Sequence, residues 1–156
     1  LQHLDSIYIS EQYLDSLKCS VYRSKKFNIY GFSSIQNTPA YRFLENRDEN
    51  FLKYEQDAYH GMTNSKRLLE LVDNIKKNGY PHKGQYIILF EGQNLIRDGQ
   101  HRAAALRYLN GNIKIPVMVL KFSTSVTVPL IPWRAHLKLS YQILRLIVSR
   151  LRNKLR

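Results

Sequence analysis

A small α+β protein, with a mixed sheet and flanking helices, is what this sequence predicts, and three observations carry the expectation. Leu68, Leu71, Val72 and Ile75 recur at helical spacing and are followed by Gly79, the residue type that ends helices. Two runs rich in apolar and β-prone residues, Tyr86 to Phe90 and Ile115 to Phe122, read as buried strands. Between them lies an alanine-rich helical stretch, 100–109. At 156 residues and 44% hydrophobic, the chain can bury one ordinary core without the composition of a disordered or fibrous protein.

The elements follow in order. Ile7-Tyr8-Ile9 reads as a short strand, and a helix is expected from Glu11 to about Lys18 with Ser10 as its cap. Residues 20–62 mix aromatic and polar side chains, with a helix expected across 48–58. Asn64 is positioned to cap the helix that Gly79 closes. After the strand 86–90, Glu91 to Asn94 turns the chain into a second short strand, Leu95-Ile96-Arg97. The helix 100–109, a Gly111-Asn112 turn and the strand 115–122 complete the unit. Past Pro129 and Pro132, residues 135–156 read as a helix with Leu137, Tyr141, Leu144, Val148, Leu151 and Leu155 on one stripe and basic residues elsewhere. Three stretches result: an aromatic-rich N-terminal layer, 1–62; a core, 63–122; and a linker with a basic amphipathic C-terminal helix, 123–156.

Charge is unevenly placed. Residues 1–98 hold 13 Lys/Arg against 12 Asp/Glu, whereas residues 99–156 hold 11 Lys/Arg and no acidic residue. A field of one sign over the last third attracts an anion: nucleotide phosphate, nucleic acid or anionic lipid. A lone cysteine, Cys19, cannot staple a fold or make a zinc site, so it is expected as a minor buried residue in a reducing cytoplasm. The first residues lack a basic segment followed by an apolar run, so no secretory leader is read there. No apolar stretch reaches the roughly 20 residues needed to span a bilayer.

The most informative segment is Asp98-Gly99-Gln100-His101-Arg102. A strand ends, a glycine permits a tight turn, and a helix begins at once. Free N–H groups at a helix start form a ready anion site. His101 and Arg102 fall in the first turn, where a guanidinium fork matches phosphate oxygens. On spacing alone, a plain capped helix with ordinary surface residues fits as well.

The wider pattern resembles the ParB/sulfiredoxin superfamily. It is carried by the helical segment Leu69 to Gly79, by Ile87-Ile88-Leu89, by Ile96 through Ala105, and by Ile115-Pro116-Val117-Met118-Val119. The resemblance covers about residues 63–122. It implies a nucleotide-binding core, with ATP or ADP as the favoured ligand, CTP as an alternative, and Mg2+ accompanying the phosphates. The sulfiredoxin box reads Gly-Cys-His-Arg, and its phosphate-holding positions fall here on Gly99, His101 and Arg102. Gln100 replaces the catalytic cysteine, which argues against sulfinic-acid repair. ADP-dependent free serine kinases look similar in carrying Asp-Gly-His-His-Arg, which Asp98 also fits. By the same resemblance the preceding helix offers Arg67, Glu70 and Asn74 to the nucleotide, and their spacing places them on one helical face.

If the domain transfers phosphate, a carboxylate must hold metal or accept a proton. Asp98 is the first candidate and Glu70 the second, with Asp98 as a simple cap remaining open. His60, before Gly61, is a candidate for the acceptor pocket or a structural histidine. The leading expectation is a nucleotide-dependent phosphotransferase acting on a small-molecule or saccharide-like acceptor. The alternative is a nucleotide-switched or DNA-binding module without small-molecule catalysis, although no helix-turn-helix follows the core. The basic helix 135–156 could place the protein at an anionic membrane surface, or pack on its own domain or a partner.

Overall fold

A computed structural model of the chain describes residues 4–24, 29–46, 49–52 and 61–123. Sheet order β1-β5-β4 is set by two different ladders. Strand β1 (Leu4–Tyr13) pairs antiparallel with β5 (Lys114–Phe122), while β4 (Ile87–Phe90) pairs parallel with β5. A parallel pair needs a crossover, and here α3 (Gln100–Asn110) supplies it. A separate hairpin joins β2 (Lys18–Ser24) to β3 (Ile29–Ser34). Helices α1 (Pro39–Asn46) and α2 (Asn64–Asn78) both pack on α3. The described residues thus form a small mixed α+β protein with three helices and a small mixed sheet.

Several expected elements sit where the patterns put them. Helix α2 buries Leu68, Val72 and Ile75, and Gly79 ends it with a positive φ of 74°. Its cap is Thr63, one residue earlier than expected: the Thr63 hydroxyl accepts the Lys66 N–H at 3.3 Å, while Asn64 is already helical and buried. Strand β4 shows alternate burial, with Ile87 and Leu89 inward. Cys19 is fully buried, and burial pushes its thiol up to about 12.

Other expectations are corrected. No helix forms over 11–18. Glu11, Gln12 and Tyr13 stay in β1 opposite Pro116, Ile115 and Lys114, and Ser10 lies mid-strand opposite Val117. Leu14 and Leu17 are both fully buried around a single 3-10 turn, Leu14–Ser16. Pairing with β5 outweighs the local pattern. The strand expected over 95–97 is reduced to isolated bridges, Lys18 with Leu95 and Ile88 with Asp98. Of the helix expected across 48–58, residues 49–51 form one 3-10 turn and 53–60 lie outside the described residues. The helix expected over 135–156 also lies outside them. Among the described residues, no helix is long and apolar enough to cross a membrane.

The core is continuous from β1's end to β5. Ala103, Ala104 and Ala105 are each fully buried. Three consecutive helical positions sweep about 200° of the helix surface at 3.6 residues per turn, so α3 is enclosed on most sides and only small side chains fit there. Arg107, in the last turn of α3, donates from Nε to Asp15 Oδ1 at 2.7 Å and from Nη2 to Oδ2 at 3.3 Å. Gln36 Nε2 donates to the same Asp15 Oδ1 at 2.6 Å. One carboxylate thereby ties the N-terminal segment to the far end of α3.

Candidate anion site at the start of α3

The chain reaches α3 by doubling back along β4. Ile88 N–H donates to the Asp98 carbonyl at 3.0 Å, and Arg97 N–H donates to the Ile88 carbonyl at 2.8 Å. This return sets Gly99 against Ile87. Gly99 adopts φ 92° and ψ 22°, in the left-handed region, and serves as the N-cap of α3. A Cβ built there would lie 3.1 Å from Ile87 Cα and 3.1 Å from its Cγ1. Both conformation and space therefore call for glycine.

Because the cap is Gly99, no side chain closes the helix start. The first intrahelical bond runs from Ala103 N–H to the Gly99 carbonyl at 2.9 Å. Among the described residues, the N–H groups of Gln100, His101 and Arg102 take no protein acceptor. Three backbone donors thus sit unspent at the positive end of an 11-residue helix.

The side chains around them come from two helices. Arg102 donates from Nη2 to Asp98 Oδ2 at 3.1 Å and from Nη1 to the Tyr86 carbonyl. That leaves Nε and one hydrogen on each terminal nitrogen for a ligand. Asp98 is therefore not the helix cap; it is the Arg102 counter-ion, and its side chain is 63% exposed. His101 meets the edge of the Phe51 ring, centroids 5.7 Å apart. Burial lowers its pKa to about 4, helped by the Arg67 charge and opposed by Asp98. At neutral pH the imidazole is uncharged, so it offers a ligand one N–H and no net charge.

The Arg67 charge, carried on α2, acts on the same imidazole. Glu70 and Asn74 share the Arg67 flank of α2 and are exposed. Among the described residues, no hydrogen bond joins either of them to α3. Gln100, in the first turn, is half-buried. His60 lies outside the described residues. Sequence reasoning missed two participants, the Tyr86 carbonyl and the Phe51 ring. A backbone acceptor leaves no residue-type signal, and nothing in the spacing ties position 51 to position 101.

No protein-family model, curated protein or solved structure matches the chain. The arrangement can therefore be read only from its own chemistry. The Arg102 guanidinium, three backbone N–H groups without a protein acceptor and a neutral imidazole that feels the Arg67 charge meet at one helix start, with one exposed carboxylate beside them.

Proposed function

We propose that the protein binds a nucleoside di- or triphosphate at the start of α3 and transfers a phosphoryl group to a small-molecule or saccharide-like acceptor, on a ParB/sulfiredoxin-like fold. One observation carries the reading. The Gln100, His101 and Arg102 N–H groups are unspent while Arg102 brings a cation to the same turn and the Arg67 charge acts on His101. A polyphosphate satisfies the N–H groups and the guanidinium at once.

In this reading Gly99 lets the backbone approach the phosphates, and Arg67 and Arg102 neutralise them. His101 donates its N–H without adding charge. Catalysis is then mainly positioning and charge neutralisation. Mg2+ carried on the phosphates would be met by Asp98, with Glu70 as the second carboxylate; one or two carboxylates plus phosphate oxygens are what that ion usually takes. Asp98 can accept the acceptor's proton only after it releases Arg102, which its exposure permits.

Titration calorimetry with ATP, ADP and CTP, on the parent chain and on Arg102→Ala, tests the binding step. Heat with at least one nucleotide, lost or weakened about tenfold in the variant, is the expected result; loss of one charge-assisted contact corresponds to that magnitude. Absence of heat with all three nucleotides, or equal heats for both proteins, overturns it. Incubation with a metabolite library and labelled nucleotide then reads the transfer. Nucleotide hydrolysis with no phosphorylated acceptor would instead make the protein a nucleotide-driven switch.

A further inference from the structure

The main sheet has one guarded edge and one open edge. Past β4 the chain doubles back, with Ile88 N–H donating to the Asp98 carbonyl and Arg97 N–H to the Ile88 carbonyl. On the other side β1 ends the sheet. Edge strands are ordinarily blunted by Lys, Pro or a covering segment, yet the ten residues of β1 include no Pro, Lys or Arg. Its large apolar side chains are uncovered: Ile7, Tyr8, Ile9 and Tyr13 are 54%, 42%, 50% and 53% exposed.

The free backbone groups of this edge can be named. Leu14 N–H donates to the Ile113 carbonyl at 3.1 Å, one step past the Tyr13–Lys114 pair. Antiparallel partners alternate between bonded and non-bonded pairs. Tyr8, Ser10 and Gln12 therefore bond to β5, whereas Ile7, Ile9, Glu11 and Tyr13 turn their N–H and C=O groups away from it. The Tyr13 carbonyl accepts from the Ser16 hydroxyl at 2.7 Å. Among the described residues, the outward groups of Ile7, Ile9 and Glu11 have no partner.

Those three residues are symmetric about Ile9. A second β1, antiparallel and related by a two-fold axis at Ile9, sets Ile9 against Ile9 and Ile7 against Glu11, and each pair exchanges both of its backbone bonds. Charge selects the same register. Centring on Tyr8 instead would set Asp5 opposite Glu11, and like charges directly opposite are destabilising. Centred on Ile9, Glu11 keeps its Lys114 partner at 3.4 Å. Asp5 then comes beside Tyr13 of the second copy, whose ring carries the Lys114 ammonium at 5.9 Å. Acid meets base at both ends of the pairing. Nucleic acid or anionic lipid would meet Asp5 and Glu11 along this edge.

We propose that β1 pairs with β1 of a second copy of this chain, joining two three-stranded sheets across a two-fold axis at Ile9. β5 separates this edge from β4 and the α3 start, so the proposal is independent of the nucleotide reading. One pair of edge strands covers less than the about 800 Å² per partner of a standard interface, which makes the dimer reversible. Sedimentation velocity of the full chain, from about 1 μM upward, tests it. The parent should pass from monomer to dimer as concentration rises. Ile9→Pro removes an outward N–H and leaves the β5 ladder intact, a change edge strands accept, and should abolish the dimer. Ile9→Lys sets two ammonium groups at the axis and should weaken association by about tenfold or more. Ile7→Lys sets its ammonium opposite Glu11 and should associate at least as tightly as the parent. The two lysine variants add the same charge, so general repulsion between basic chains cannot produce the contrast, and they decide the matter should the proline variant fail to fold. The proposal is overturned by a parent that stays monomeric, by assembly beyond the dimer, by parental association of Ile9→Lys or of folded Ile9→Pro, or by equal weakening in both lysine variants.

Discussion

Asp98 and Arg102 form an i,i+4 ion pair across the start of α3, Nη2 to Oδ2 at 3.1 Å, with Arg102 19% exposed and Asp98 63% exposed. The guanidinium is held from behind by the Tyr86 carbonyl, and the carboxylate sits on its solvent side. In the proposed nucleotide complex a phosphate oxygen would compete with Asp98 for this guanidinium. In the absence of Mg2+, Asp98→Asn should strengthen the binding of ADP up to about fivefold, since an exposed pair is worth at most about 1 kcal/mol. It should also abolish phosphoryl transfer if Asp98 accepts the proton. Calorimetry and a transfer assay on the same variant separate the two roles; weaker ADP binding would show that Asp98 positions Arg102 rather than competing with the ligand.

Gly99 should not tolerate even a methyl group. With φ at 92° and a built Cβ 3.1 Å from Ile87 Cα, Gly99→Ala must shift backbone as well as pay conformational strain. A loss of about 1–3 kcal/mol in urea denaturation is expected, together with loss of nucleotide binding. An alanine variant of parental stability would mean that the turn is softer than this geometry implies.

His101 predicts acid sensitivity. Its pKa falls from 6.5 to about 4 in the folded chain, so between those values the unfolded chain binds the extra proton. Stability is full above about pH 6.5 and drops as pH falls towards 4, by up to about 3 kcal/mol. His101→Asn should flatten that part of the pH–stability profile. Asp98 and Arg67 face the same imidazole, and Asp98→Asn should lower its pKa further by removing the one opposing charge.

Asp15 and Arg107 should matter for stability and not for binding. Both side chains are partly buried, and Asp15 also accepts from Gln36. Asp15→Ala leaves the guanidinium without its main partner and should cost about 1–3 kcal/mol. ADP affinity should be unchanged, because the pair sits at the opposite end of α3.

Cys19 should be silent in the native state. Full burial and a thiol raised to about 12 leave almost no thiolate at neutral pH. Thiol-directed reagents should label it only after denaturant is added.

The central helix–strand–helix–strand unit was legible because its signals are local. Helical spacing over 68–75, a glycine at 79 and an apolar run at 87–90 each specify structure from a few neighbouring residues. The N-terminal segment was not, because its conformation is decided by distant partners. Glu11 to Tyr13 stay extended only because Pro116, Ile115 and Lys114 lie beside them, a pairing across more than a hundred residues. The β2–β3 hairpin and α1 escaped for a related reason: aromatic and polar residues alternate there without a clean period. At the candidate site, Gly99, His101 and Arg102 could be read from their box, whereas the Arg67 relationship to His101 needed two helices to be packed first. The cap is Gly99 and not Asp98, whose carboxylate pairs with Arg102.

The three buried alanines of α3 set how a ligand at its first turn would be felt. A helix enclosed on most sides cannot fray or tilt alone, so its start opens only when the surrounding core opens. Ligand binding should then register as a rise in the melting temperature of the entire folded unit, not as ordering of a loop. At a concentration one hundred times its dissociation constant, the linkage amounts to about 2.7 kcal/mol. Calorimetric scans against a nucleotide panel would therefore rank ligands without any knowledge of the reaction.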